Sequence, residues 1–519
     1  MIQGTAARAA ALVLATEGAF FVWRSVQQQR LGSQPAPYND MLQPPSGMAF
    51  SRELRRRQFD RILAAEFAGG STPERGKQFI SGWFFGAPVE DIDRNAARTF
   101  FAWAWFNHAS TSACSASELE EVDRDVATFE KLGGMRFRDD SVPSLTRPIG
   151  VRSQGLRCMR PNVDDTAPFS AHKPLLLYLV TEYLLGRCSQ GRLLSGLGFR
   201  RRTARSAQHL DAPLHYWHRS PADPDASTTA PPLVIFHGIG LGYSVGYADL
   251  LRELVAAGGG RRTILAVELP HIRMTIPHDY GANPAVSVRA IRAMLQDVAA
   301  RSSPPDSMPS GRLSRLRRRF GDAALRRPGV VSEGDGAAAA PRADFVAHSY
   351  GTLAVAHMLK QAGECVRSAT LIDPVCVGAH RATLCRSFLY EPEEEASIEG
   401  RVKHYLIHSD PRLVGVLMRN FYWYENVLWL DDEDLDGGTS GTSGTSDGTV
   451  SLFIAEKDRY IDGEIMYADA MAAVERRGIE RRDDGRRQLR AVLWAKLDHG
   501  QFLQSAKRRN EVIESVLGD

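Results

Sequence analysis

The sequence predicts an α/β protein with a mostly parallel, doubly wound sheet. Three observations predict it. From residue 213 onward, short β-rich runs alternate with helix-periodic stretches. The runs are near-continuously apolar, as strands covered on both faces must be. The chain has 519 residues, 43% of them hydrophobic and 24% charged, enough for one large core plus appended segments. The strands are expected at 214–219 (LHYWHR), 232–238 (PLVIFHG), 263–270 (TILAVELP), 344–349 (DFVAHS), 369–375 (ATLIDPV), 450–458 (VSLFIAEKD) and 491–500 (AVLWAKLDHG). Helical stretches at 246–258 and 283–300 separate the first of them, which is the spacing of βαβ units.

Ahead of this domain the chain divides in two. Residues 1–45 read as an apolar helix followed by a Pro-rich connector. The apolar stretch 9–23 (AAALVLATEGAFFVW) is shorter than the roughly 20 residues of a membrane span, and Glu17 sits in its middle. Two readings stand: an amphipathic or buried helix, or a targeting or anchoring segment that contacts a membrane. Residues 46–212 read as a helical region packing on the core. It includes the aromatic-rich helix 96–108, and PLLLYLVTEYLLG (174–186) as a core helix. The absence of a linker before 213 favours wrapping over a separate domain.

Within 213–519, two segments interrupt the rhythm. Residues 301–343 are rich in Pro, Ser, Arg, Gly and Ala and read as a disordered insertion. Residues 436–448 (DGGTSGTSGTSDG) read as a flexible linker. Residues 376–435, ahead of that linker, read as a helical cap with many aromatics.

Charge and cysteine usage exclude several function classes. With 64 basic and 61 acidic residues the net charge is +3, so the overall charge makes no case for nucleic acid or for an anionic membrane surface. Six cysteines are scattered without a CxxC pair or a zinc-like His/Cys spacing. No metal is expected, and free thiols in a reducing, intracellular compartment are. The glycines of HGIGLGYSVG do not fit the dinucleotide fingerprint, so no cofactor is expected.

The chemistry is read from strand ends. A serine hydroxyl needs a general base, an orienting carboxylate and backbone N–H donors for the oxyanion. Ser349 lies in AHSYG, where a strand runs directly into a helix; such a turn needs small neighbours, here Ala347 and Gly351. His499, in LDHGQF after the last strand, is the candidate base. Asp458, in AEKDRYID after the preceding strand, is the favoured acid, and Asp373 in LIDPV is its rival. Asp462 falls on the turn after Asp458. The HGIG loop, with His237, Gly238 and Gly240, would bring the Ile239 N–H to the oxyanion, and Tyr350 would supply the second N–H from the helix start.

These motifs resemble the α/β-hydrolase superfamily, in which the order Ser, Asp, His is the one used. Ala347 departs from its usual glycine. The segments 77–92 (KQFISGWFFGAPVEDI), 101–108, 173–186, 404–411 (HYLIHSDP) and 419–429 (RNFYWYENVLW) are similar to the N-terminal region and cap of an uncharacterised branch of fungi and protists. The resemblance implies an eight-stranded type of sheet, a helical lid between strands six and seven, and a serine hydrolase. Its substrate would be a small-molecule or lipid acyl ester: a carboxylester, a lipid or a thioester. A catalytically inactive scaffold or binding protein, and an acyltransferase using the same triad, are the alternatives.

Overall fold

The computed structural model describes residues 2–33, 50–67, 73–139, 157–204, 214–221, 230–244, 246–258, 261–274, 284–302, 341–391, 398–419, 421–436, 448–479 and 487–518. At its centre is one eight-stranded sheet: β1 (Arg200–Thr203), β2 (His215–Arg219), β3 (Leu233–Phe236), β4 (Ile264–Val267), β5 (Ala343–His348), β6 (Val366–Ile372), β7 (Thr449–Ala455) and β8 (Gln488–Trp494). The spatial order is β1-β2-β4-β3-β5-β6-β7-β8. β2 runs antiparallel to both β1 and β4, and every pairing from β4 through β8 is parallel. This is the strand order of the α/β-hydrolase fold. β3, β4 and β5 are buried at every position, because helices cover both faces.

The sequence reading needs four corrections. The sheet domain does not begin at 213: β1 lies inside the stretch read as helical. Its sequence RRRT is almost wholly exposed, so it carries no apolar signal. The strand expected at 344–349 stops at His348, which leaves Ser349 in the turn. The segment 174–186 is not a core helix; Leu176, Leu179, Tyr183 and Leu184 are exposed, while Tyr178, Thr181 and Gly186 are buried. The interruptions are narrower than read. Helix Pro284–Ser302 and β5 enter the 301–343 stretch from its two ends, and a helix reaches Asp436. The rest of both interruptions, and the Pro-rich connector, lie outside the described residues.

The N-terminal region and the cap share one aromatic core. Phe59, Trp83, Phe100 and Trp105 pack in the same buried cluster as Trp423, Val427 and Trp429. The cap, which leaves β6 and returns to β7, is thus bound from outside by residues 52–137. A buried ion cluster adds to this. Glu66 accepts from His380 Nε2 (3.0 Å), from Arg381 Nε (3.0 Å) and from Arg75 Nε (3.1 Å), and both arginines also reach Asp469 at 2.7 Å.

Candidate active site

β5 delivers its C-terminal end to a turn so sharp that Ser349 adopts φ +54°, a left-handed conformation costing a non-glycine residue about 1–3 kcal/mol. Helix Thr352–Gln361 follows after one 3₁₀ turn. The close packing shows why the neighbours are small. A Cβ on Gly351 would sit 2.7 Å from the His237 carbonyl oxygen and 2.9 Å from Phe236 Cβ. Ala347 is fully buried, paired with Phe236 on one side and Leu371 on the other. On the loop after β3, a Cβ on Gly238 would approach Ser349 Cβ to 2.8 Å, so only glycine lets the loop lie beside the serine.

The structure brings Ser349, His499 and Asp458 together from three strand ends. His499 Nε2 is 2.7 Å from Ser349 Oγ, and His499 Nδ1 is 2.6 Å from Asp458 Oδ2. Asp458 is held by its other oxygen, which accepts from the Tyr460 N–H at 2.8 Å. All three residues are largely buried. Burial alone would depress the His499 pKa. The charge and hydrogen bond of Asp458, reinforced by Asp373 and Asp498, more than reverse this, and the imidazole titrates above its ordinary value.

Asp373, the rival acid, has a different set of partners. It is fully buried at the end of β6 with φ +43°. Its Oδ1 accepts from Ala455 N–H (3.1 Å) and its Oδ2 from Gly500 N–H (2.8 Å). It therefore fixes the backbone next to His499 and bonds neither imidazole nitrogen. Its Oδ2 also faces His348 Nε2 at 3.6 Å, an electrostatic contact longer than a hydrogen bond. Burial would raise the Asp373 pKa, but His348, His499 and the Gly500 N–H outweigh it, and the carboxylate is held below its ordinary range. The polar atoms of Asp373, Asp458 and His499 lie close enough to hold a metal ion. The hydrogen bonds just described already occupy those carboxylates. His108, Cys114 and Glu118 form a second such group, in which Glu118 caps its own helix through the Ser115 N–H.

The loop after β3 sorts its own amides. The Gly238 N–H donates to Tyr247 Oη (2.7 Å), and the Gly240 N–H donates to the Ile272 carbonyl (3.1 Å). The Ile239 N–H between them has no partner among the described residues. Tyr350 is the second residue of its helical turn, where an amide lacks an intrahelical acceptor. His237 braces the loop. Burial holds its pKa near 4, so the ring is neutral; Nε2 accepts from Leu269 N–H (3.1 Å) and Nδ1 donates to the Gly238 carbonyl (2.8 Å).

Sequence reasoning missed three residues around this site. Tyr247 accepts from Gly238 and donates to His348 Nδ1 at 2.5 Å, tying the glycine loop to the serine turn. His348 continues the chain of contacts to Asp373. The Tyr460 ring stands edge-on to His499 at 4.9 Å, and its hydroxyl meets His408 Nε2 of the cap at 2.9 Å. His348 was visible inside AHSYG as the serine's neighbour; nothing in the sequence marks Tyr247 or Tyr460.

No protein-family model matches the chain, and no curated protein matches it. Solved structures similar to it include a bacterial membrane phospholipase A (14% identity, 66% of this chain and 94% of that one, TM-score 0.39). Others are the carboxylesterase CesB of Bacillus subtilis (13%, 65% and 98%, TM-score 0.35) and a monoacylglycerol lipase of Paleococcus ferrophilus (11%, 59% and 98%, TM-score 0.35). At identities and TM-scores this low, the chemistry has to be read from Ser349 and its neighbours.

Proposed function

We propose that the protein is a serine hydrolase that cleaves an acyl ester through an acyl-enzyme. The observation that carries the reading is the unbroken chain Ser349 Oγ to His499 Nε2 and His499 Nδ1 to Asp458 Oδ2, at 2.7 and 2.6 Å. Asp458 accepts a hydrogen bond from Nδ1–H, which keeps the proton on Nδ1 and leaves Nε2 as the base facing the hydroxyl. Ser349 attacks the acyl carbon as its proton passes to His499. The tetrahedral oxyanion is met by the Ile239 and Tyr350 N–H groups. His499 then protonates the leaving alkoxide or thiolate, and the same histidine activates the water that releases the acid. Asp373 sets the position of His499 through Gly500, and Tyr247 sets the position of the oxyanion loop.

The test is a burst experiment with p-nitrophenyl esters of increasing acyl length. A stoichiometric burst of nitrophenol in wild type, absent in Ser349→Ala, supports the acyl-enzyme. A folded wild type with neither burst nor turnover on any chain length would favour the inactive scaffold. Adding alcohol acceptors separates hydrolysis from acyl transfer, since both begin at the same acyl-enzyme.

A further inference from the structure

Among the described residues, sixteen large apolar side chains are exposed, and fourteen of them fall on three helical segments. Seven lie on the N-terminal helix (Ile2–Ser33), four on the segment 175–189, and three on the cap segment 398–408. Leu14, Leu176 and Ile398 are 73%, 65% and 76% exposed.

The three segments are locked side by side. Glu17, the acid that interrupts the apolar run, turns inward. Its carboxylate accepts the Leu175 and Leu176 N–H groups (2.9 and 3.2 Å) at the start of the second segment, where a helix leaves amides unpaired. Arg24, two turns further along, is buried and bonds the Tyr178 hydroxyl, which itself donates to Asp410 Oδ2 of the cap (2.7 Å). Tyr405 of the cap donates to the His172 carbonyl at 3.0 Å, and Phe21 packs on His172. Glu17, Phe20 and Arg24 follow i, i+3, i+7 spacing, so the N-terminal helix is held by one narrow stripe. Among its described side chains, those exposed on the other faces are mostly apolar: Leu12, Val13, Leu14, Phe21, Val22, Trp23 and Val26.

From this we infer that the three segments form one face that seats the enzyme on an anionic lipid bilayer, with the helices lying in the interface. A face apolar around most of a helix's circumference suits a fluid hydrocarbon boundary. No described helix is long and apolar enough to cross a membrane. The exposed charged side chains described on these segments are Arg187 and Arg401, both cations; Glu182 is half-buried and paired with Arg187 at 3.1 Å. Trp23, Tyr183 and Tyr405 add the amphipathic rings that favour the headgroup level. The cap belongs to this face and also reaches the site through His408 and Tyr460. Resting on the serine-hydrolase reading, the substrate class is then an acyl ester drawn from the bilayer.

The test is flotation of the full chain with vesicles of phosphatidylcholine containing about 30% phosphatidylserine. The comparison proteins are Ser349→Ala and the triple variant Val22→Glu, Leu184→Glu, Ile398→Glu. Wild type and Ser349→Ala are expected to float equally. The triple variant is expected to bind about a thousandfold more weakly, at about tenfold per apolar side chain lost. Its melting temperature and fluorophosphonate labelling should be unchanged, since all three positions are exposed. Wild type that stays unbound to the vesicles overturns the inference, as does a triple variant that floats normally. A dimer in sedimentation that the triple variant abolishes, without vesicle binding, would make the face a contact between copies and also overturn it. Flotation without labelling would sink the hydrolase reading alone, and labelling without flotation would sink the docking face alone.

Discussion

Replacing Asp458 with Asn keeps the side chain's size and removes its charge, and the surrounding donors decide the outcome. In the wild type, Oδ1 accepts from the Tyr460 N–H at 2.8 Å and Oδ2 from His499 Nδ1 at 2.6 Å. An asparagine has one acceptor oxygen, and the backbone donor of Tyr460 claims it. The amide NH₂ then faces Nδ1, two donors oppose each other, and the imidazole moves its proton to Nε2. Nε2 now presents a proton to Ser349 Oγ and cannot take one. The expected loss in kcat is about 10⁴-fold, or about 5.5 kcal/mol. Asp373→Asn is the matched control. It breaks no bond to an imidazole nitrogen; it leaves either Ala455 N–H or Gly500 N–H opposed by an amide donor. That costs about 1–3 kcal/mol, a loss of roughly 5- to 150-fold if it all reaches the transition state. The assay is kcat/KM on an activated ester, with melting curves for both variants. A loss in Asp373→Asn equal to that in Asp458→Asn would refute the assignment of the two carboxylates. So would an Asp458→Asn enzyme keeping more than about a tenth of wild-type activity.

The same geometry sets the response to pH and to packing changes. His499 must be neutral to act as base, and its pKa is raised, so kcat/KM should fall on acidification with a midpoint above about 6.5. Asp373→Asn removes a charge that supports this elevation, so its pH profile should move to lower pH. Gly351→Ala should lower both stability and activity, because its Cβ would press on the backbone at His237; about 1–3 kcal/mol is expected by chemical denaturation. Glu66 is buried with its pKa held at about 2: burial opposes ionisation, and His380, Arg381 and Arg75 overcome it. A depressed carboxylate stabilises the fold above its unfolded value near 4.5 and loses that contribution as pH falls toward 2. Glu66→Gln should therefore cost about 3 kcal/mol at neutral pH, with less difference from wild type near pH 2.

The central sheet was legible because β3 to β7 are apolar runs buried on both faces, which leaves little choice of residue. β1 was not legible, since an exposed edge strand of RRRT has no alternation to read. The positions of Ser349 and His499 could be read from strand ends and small neighbours. Asp458 was favoured over Asp373 from its place after the penultimate strand, but the sequence left Asp373 as a rival because both follow strands. The structure separates their partners: His499 Nδ1 meets Asp458, and the Ala455 and Gly500 amides meet Asp373. Tyr247 was hidden for a similar reason: a tyrosine opening an ordinary helix becomes part of the site only once β3 and β5 lie side by side. The exposed segment 174–186 misled for the opposite reason, since apolar periodicity reports a face that needs covering and not what covers it.

The most direct measurement is labelling of the purified protein with a fluorophosphonate, followed by peptide mass mapping. The proposed function predicts one adduct on Ser349, lost in Ser349→Ala and slowed at least a thousandfold in His499→Ala. A folded wild type that takes up no label, or an adduct on any other residue, would contradict it.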